Sequence, residues 1–353
     1  MKQAIGAGCG LVLAALTAAC QPAPSPSAVS IVWTPQDSGV ASSLRGLAVI
    51  DANTAWVGAP DGVVLRTTDG GQSWTRSRIE AAAGLDLRSA HGFDADHALF
   101  FTAGSPARLF ETRDGGASFT LVYEDAASAA FFDSLAFWDE NRGIAFSDPV
   151  DGVFHILLTE DGGQSWHRAT GLPQPLEGEA GFAASDTSLA LGADGRVWIG
   201  TGGGARARIL AGEDFGASWH GVDTPLASGA AGAGIFSVAA SGNTLVAVGG
   251  NYTREDDRAG VAAYSLDGGR VWFEPRTGPT GYRSGVAAIP QLGGHFLAVG
   301  PNGADLSRDG GRSWEAVSAD GLNAVAFAPG TGAGWAVGTN GQIMRLSVTL
   351  GAE

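Results

Sequence analysis

Apolar and polar residues alternate with a period of two in short runs along the chain, the pattern of half-buried strands. Residues 44–50 (LRGLAVI), 55–58 (AWVG) and 63–67 (VVLRT) are three such runs. A glycine-rich turn follows, and residues 74–78 (WTRSR) make a fourth. The pattern therefore predicts four successive strands joined by tight turns.

The turn before the fourth run recurs. Residues 67–74 (TTDGGQSW) return at 112–119 (TRDGGASF), 159–166 (TEDGGQSW) and 307–314 (SRDGGRSW), and in degenerate form at 212–219 (GEDFGASW) and 265–272 (SLDGGRVW). The aspartates stand at 69, 114, 161, 214, 267 and 309, at intervals of 45, 47, 53, 53 and 42 residues. That is the period of a propeller blade. Residues 322–327, 334–338 and 342–347 add three strands with no turn after them. The missing partner is residues 30–34 (SIVWT), with Trp33 in the place of Trp74. The prediction is an all-β, seven-bladed β-propeller over residues 30–353. It has four-stranded antiparallel blades, and the N-terminal strand closes the last one, which removes exposed sheet edges. Within each turn Asp69 and its equivalents can accept backbone N–H bonds, the paired glycines tolerate positive φ, and the tryptophan packs between sheets. These aspartates are read as structural.

Composition agrees and narrows the function. Glycine is 55 of 353 residues, more than twice the usual share of about 7 %, and charged residues are only 16 %. Such a chain has many turns and largely buried strands, and a long helical bundle is excluded. A hydrophobic content of 44 % excludes disorder of the whole chain. The net charge of −15 argues against a nucleic-acid partner, which needs a basic face.

The first 19 residues, Lys2 followed by an uncharged apolar run, are read as an export signal too short to span a membrane. Residues 16–20 (LTAAC) resemble the lipobox of bacterial lipoproteins, which predicts acylation of Cys20 as the mature N-terminus. Residues 20–29 are then a lipidated, Pro- and Ser-rich tether. The other cysteine, Cys9, lies in the signal, so the mature fold has no disulfide. Gln21 after the cysteine, by resemblance to enterobacterial sorting, points to a membrane-anchored lipoprotein on the periplasmic side of the outer membrane.

With the turns assigned to structure, candidate chemistry moves to the starts of the innermost strands, which ring the mouth of a propeller's channel. Aligned, these are Arg45, Arg88, Asp133, the Gly181 region after Glu177 and Glu179, Phe236, Arg283 and Asn323. Three arginines among 21 basic residues predict an anion or carboxylate site. Tyr282 and Asp148 join them, with the loops at 202–206 and 251–258 on the same side. An alternative stays open: the arginines pair internally with Asp133, Asp148 or neighbouring carboxylates. The six histidines have no paired-ligand spacing, no G-x-S-x-G elbow occurs, and residues 200–205 (GTGGGA) have no helix to receive a pyrophosphate. No metal or cofactor is expected.

The turns resemble the Asp-box, or BNR, repeat. Residues 46–74, together with 148–152 (DPVDG) and 281–284 (GYRS), resemble the seven-bladed photosystem II stability/assembly factor family over essentially the whole mature chain. The resemblance implies a non-enzymatic scaffold whose arginine patch engages a membrane-associated or nascent membrane protein, and the chain is expected to be monomeric. The chain departs from that family in its net acidity and its two degenerate turns. The alternative is a sialidase-like glycoside hydrolase acting on cell-surface glycans, with Arg45, Arg88 and Arg283 as a carboxylate-holding triad beside Tyr282 and Asp133. The Phe/Tyr-Arg-Ile-Pro segment of sialidases is absent.

Overall fold

The computed structural model describes Met1 and residues 29–126 and 130–350. The export signal, Cys20 and the tether up to residue 28 lie outside the described residues. Among those described, the chain forms seven antiparallel sheets arranged as a seven-bladed propeller. The N-terminal strand β1 (Val29–Gln36) precedes blade one, which holds β2 (Gly46–Val49), β3 (Ala55–Gly58), β4 (Val63–Thr67) and β5 (Thr75–Arg78). Blade two follows with β6 (Asp86–Gly92), β7 (Ala98–Ala103), β8 (Ala107–Thr112) and β9 (Thr120–Asp125). Blade three is β10 (Phe132–Phe137), β11 (Gly143–Val150), β12 (Val153–Thr159) and β13 (His167–Arg168). Blade four is β14 (Leu189–Leu191), β15 (Val197–Gly200), β16 (Arg208–Glu213) and β17 (Ser218–Asp223). Blade five has three strands, β18 (Ala233–Ser241), β19 (Thr244–Asn251) and β20 (Ala262–Ser265). Blade six is β21 (Gly285–Ala288), β22 (Phe296–Gly300), β23 (Gly303–Ser307) and β24 (Glu315–Ser318). Blade seven joins β25 (Ala324–Phe327), β26 (Ala333–Val337) and β27 (Ile343–Leu350) to β1.

Blade five thus departs from the expected four strands. Its outer position is held by one residue pair, Tyr264 and Phe273, which exchange both backbone hydrogen bonds at 3.0 and 2.9 Å. Pro275 and Pro279 follow, and a residue without an N–H cannot extend that ladder.

The closure expected from Trp33 is present and longer than expected. β1 pairs antiparallel with β27 along its whole length, from Val29 opposite Leu350 to Gln36 opposite Ile343. Gln36 then ties blade seven to blade one. Its Oε1 accepts from the Trp74 and Trp335 indole N–H groups at 3.2 and 3.0 Å, and its Nε2 donates to the Gly70 carbonyl at 2.9 Å.

The core lies between blades, so central strands pack on both faces. β3, β7, β15 and β22 are accordingly buried at every residue. Between blades one and two, Trp56 and Val64 meet Leu87, Phe100 and Phe110, with the Trp56 and Phe100 rings edge-to-face at 5.9 Å.

The recurring turns join third strands to fourth strands. In the first, Asp69 Oδ1 accepts from the Ser73 N–H at 3.0 Å and Oδ2 from its hydroxyl at 2.6 Å, while Thr67 Oγ1 accepts from the Gly71 N–H at 2.9 Å. These bonds, the Ser73 hydroxyl first, hold Asp69 down at about 2. Gly70 and Gly71 have φ of 75° and 82°. Asp114, Asp161 and Asp309 repeat the bonding to Ser118, Ser165 and Ser313. The Gly70 N–H also donates to the Asn53 carbonyl, in the loop between the first two strands of its blade. Every such turn therefore sits on the face opposite the starts of the innermost strands.

Candidate functional site at the channel mouth

The innermost strands deliver their first residues to one cavity of about 470 Å³. Arg45, Arg88, Asp133, Asp148 and Tyr282 line it, as do Gly181, Phe236 and Asn323. In three blades the local cause is a β-bulge. Pairing shifts register between Leu87 and Ser89, between Phe132 and Ser134, and between Ile235 and Ser237. The extra residue in each case is Arg88, Asp133 or Phe236. A bulge breaks the two-residue alternation and re-aims one side chain, here into the mouth.

Arg283 is placed elsewhere. It is fully buried, and the cavity is lined instead by its neighbours Tyr282 and Ser284. Arg283 Nε donates to Asp305 Oδ2 at 2.7 Å, and Nη2 pairs with the same oxygen. Nη1 donates to the Tyr282 carbonyl at 2.7 Å and to Asn302 Oδ1 at 2.5 Å, and Nη2 to Thr280 Oγ1 at 2.7 Å. Four hydrogen bonds and the ion pair to Asp305 thereby engage all three guanidinium nitrogens inside the blade. The physical reason is register: Arg45 directly precedes the first ladder residue, Gly46, and the equivalent before Gly285 is Ser284. Aligning arginine with arginine was one residue out, and one residue turns a side chain to the other face.

Blade four holds a feature that the sequence reading missed. Its innermost strand starts only at Leu189, and residues 181–186 before it form a strap across the mouth. The strap touches five other blades. Its Ala184 carbonyl accepts from Arg45 Nη1 at 2.8 Å and its Ala183 carbonyl from Arg88 Nη1 at 3.4 Å. The Gly181 N–H donates to Asp148 Oδ1 at 2.8 Å. Phe182 stacks on Phe236 with ring centroids 3.8 Å apart, and Tyr282 meets Phe236 edge-on at 4.8 Å. Ser185 lies against Gly285. Asp186 fastens the far end, accepting from the Ala90 N–H at 2.6 Å and the Leu135 N–H at 3.1 Å. A signal for this did exist, because the two intervals of 53 residues flank blade four and blade five. The surplus in the first is the strap, and in the second the loop that brings Tyr252 and Glu255 to the cavity.

Asp186 is expected to anchor the mouth. It is buried at a left-handed φ of 62°, and burial pushes its carboxyl well above the usual carboxylate range against the pull of the Ala90 and Leu135 amides. Asp186→Ala strands two buried N–H groups at about 1–3 kcal/mol each. A Cβ residue without Asp's local hydrogen bonding at positive φ adds about 1 kcal/mol. A loss of roughly 3–7 kcal/mol is expected by denaturant titration, and a change under about 1 kcal/mol would remove the anchor role.

The electrostatics of the mouth divide into two sides. Arg88 Nε is paired with Asp86 Oδ2 at 2.7 Å. Arg45 has no carboxylate within ion-pair distance among the described residues, and its guanidinium is held below its ordinary value by burial and then by Arg88, against a weaker opposite pull from Tyr282 and from Asp86, the partner of Arg88. Opposite, Asp133 is 1 % exposed, and its Oδ2 has no hydrogen-bond partner. It is closed in by Gly181, where any side chain would collide with Asp133 Oδ2 and Phe146. Burial and then Asp148 push the Asp133 carboxyl well above its usual range, with Arg88 pulling the other way. Asp148 is raised by burial, less the effect of the Gly181 N–H. Glu179, beside the strap, is structural: it takes the Arg208 guanidinium, the Thr201 hydroxyl and the Leu176 N–H. Among the described residues no group of three or more His, Cys, Asp or Glu side chains could hold a metal ion.

No protein-family model matches the chain, and no curated protein does. Among solved structures, YCF48 bound to D1 peptide is similar with a TM-score of 0.62 and 16 % identity, over 94 % of this chain and 100 % of that one. YCF48 from Cyanidioschyzon merolae is similar with a TM-score of 0.56 and 16 % identity, over 89 % and 98 %. An ancestral GH74 enzyme gives 0.63 and 15 % identity over 89 % of this chain, which spans 46 % of that one. At these identities the likeness is one of fold, a propeller shared by peptide-bound and enzymatic proteins alike.

Proposed function

We propose that this chain is a non-enzymatic scaffold or assembly factor that holds an acidic segment of a membrane-associated protein at its channel mouth. In this reading it works as an exported lipoprotein, anchored through Cys20 on the periplasmic side of the outer membrane. The observation that carries the proposal is the Arg45 guanidinium, desolvated beside Arg88 without a carboxylate of its own among the described residues. An unmatched cation in a partly dry cavity is completed by an anionic group, with Arg supplying paired donors. The aromatic wall of Phe182, Phe236, Tyr252 and Tyr282 gives the same segment apolar contact. Further support comes from the resemblance of residues 46–74 to the photosystem II assembly factors and from the fold shared with YCF48 bound to D1 peptide. A glycoside hydrolase needs a carboxyl that reaches its substrate. Of the carboxyls lining the cavity, Asp133 Oδ2 is sealed under Gly181 and Asp148 Oδ1 is held by the Gly181 N–H, which leaves Glu255 as the carboxyl without such a tie.

The test is binding of a fluorescent acidic peptide, acetyl-Ala-Glu-Phe-Glu-Ala-amide, to wild type and to the Arg45→Ala, Arg88→Ala double variant. Both arginines are partly solvent-exposed, so the double variant should melt within a few degrees of wild type while binding at least about tenfold more weakly. Wild-type affinity should fall as salt rises to about 0.5 M. A cross-linked pull-down from membranes with the same pair should lose its client with the arginines. Equal binding by both proteins would discard the mouth as the site.

A further inference from the structure

The cavity contains a buried acid that the binding reading leaves unused. Asp133 is the bulge residue of β10, Oδ2 without a partner and shut under the strap at Gly181. The titratable and charged groups around it can be read strand by strand. β11 contributes Asp148, whose Oδ1 is held by the same Gly181. β6 contributes Arg88 and its partner Asp86, while His91 lies at the far end of that strand, stacked on Phe137 at 4.7 Å. β7 and β14, also packed on β10, carry no titratable residue. The strap contributes Asp186, occupied by two backbone amides, while Arg45, Tyr282, Tyr252 and Glu255 face the cavity from blade one, blade six and the blade-five loop.

Two guanidinium groups, Arg45 and Arg88, therefore share the mouth with Asp86, Asp148 and Glu255 and with one enclosed carboxyl, Asp133, whose charge state shifts the balance. We propose that Asp133 is the charge switch of this site: un-ionised, it leaves Arg45 and Arg88 available to an anionic segment, and ionised, it opposes that segment with a like charge in the same cavity. Acidic-peptide capture is then favoured on the acid side and fades toward alkaline pH. Burial without a hydrogen bond stabilises the un-ionised form, and so does the neighbouring Asp148 carboxylate. An anion on Arg45 and Arg88 raises the proton affinity of Asp133 further, so binding takes up a proton.

This inference rests on the peptide-binding reading, and one experiment separates the two. The same Glu-containing peptide is titrated into the full chain and into Asp133→Asn, a substitution of nearly equal size, from about pH 6 to about pH 9, where the peptide's glutamates stay ionised. Wild-type Kd should rise with pH, by up to about tenfold per unit once Asp133 ionises. Asp133→Asn should bind tightly with no such slope. A second readout needs no peptide. A carboxyl raised in the folded state costs stability progressively as pH climbs from about 4 through its folded value. Asp133→Asn should therefore melt above wild type at about pH 9, with the gap closing near pH 4. Equal pH slopes in both proteins, or a melting gap independent of pH, would overturn the switch alone. Absence of binding by either protein at every pH would overturn the binding reading and the switch with it.

Discussion

Removing residues 29–36 is expected to abolish the cooperative melting transition of the whole propeller. β1 supplies the fourth strand of blade seven, with eight residues in register against β27. Its ladder and the partly buried Ile31 and Trp33 pack on Leu346, Leu297 and Leu306 of blades seven and six. At about 1 kcal/mol per backbone bond and up to about 1.5–3 kcal/mol per large apolar side chain, the loss comes to roughly 10 kcal/mol or more. A domain is stable by about 5–15 kcal/mol in total. The cut also frees the edge of β27 and removes Gln36, which links the Trp74 and Trp335 indoles across the seam. Circular dichroism against temperature gives the measurement. A truncated chain melting within a few degrees of the full one would mean that the ring does not depend on its seam.

Arg283→Ala is expected to be the most damaging single arginine substitution, through stability rather than binding. The guanidinium and Asp305 are both fully buried, and burial works against the arginine's charge while Asp305 restores it. Removing one member of a buried pair leaves an uncompensated charge and costs about 3–5 kcal/mol. At about 2–4 °C per kcal/mol for a large domain, the melting temperature should fall by roughly 6–20 °C. Replacing both partners with apolar residues, Arg283→Met with Asp305→Leu, should recover much of that loss, because no orphan charge remains. The contrast with Arg45 and Arg88 is the decisive comparison. If Arg283→Ala melts like wild type and loses only peptide binding, the internal pairing is not what holds Arg283.

The two sets of arginines show how far a repeat pattern can be followed. Intervals of 42 to 53 residues and the match of Trp33 to Trp74 were enough for the ring and its closure, because each blade buries its faces only against copies of itself. The same spacing placed the six turns, whose bonding is local: Asp69, Thr67, Gly71 and Ser73 meet within seven residues. The loss of the fourth strand in blade five was less visible, since Trp272 keeps its place in the core while the prolines beyond it end the pairing.

The mouth was legible in part. Arg45, Arg88, Asp133, Asp148 and Tyr282 were placed together from the starts of the strands and one loop. What the chain by itself determined was thus the number of blades, the closure, the local bonding of the turns and the face on which the starts of the innermost strands meet. These depend on local turn chemistry and on a hydrophobic period that repeats. Tertiary structure alone decided that Arg283 pairs inward with Asp305, that bulges aim Arg88, Asp133 and Phe236 into the cavity, and that residues 181–186 cross it. Each of those outcomes turns on a one-residue register or on contacts between blades up to about 140 positions apart in the chain, such as Arg45 to Ala184. A period of two or of 48 carries no record of either.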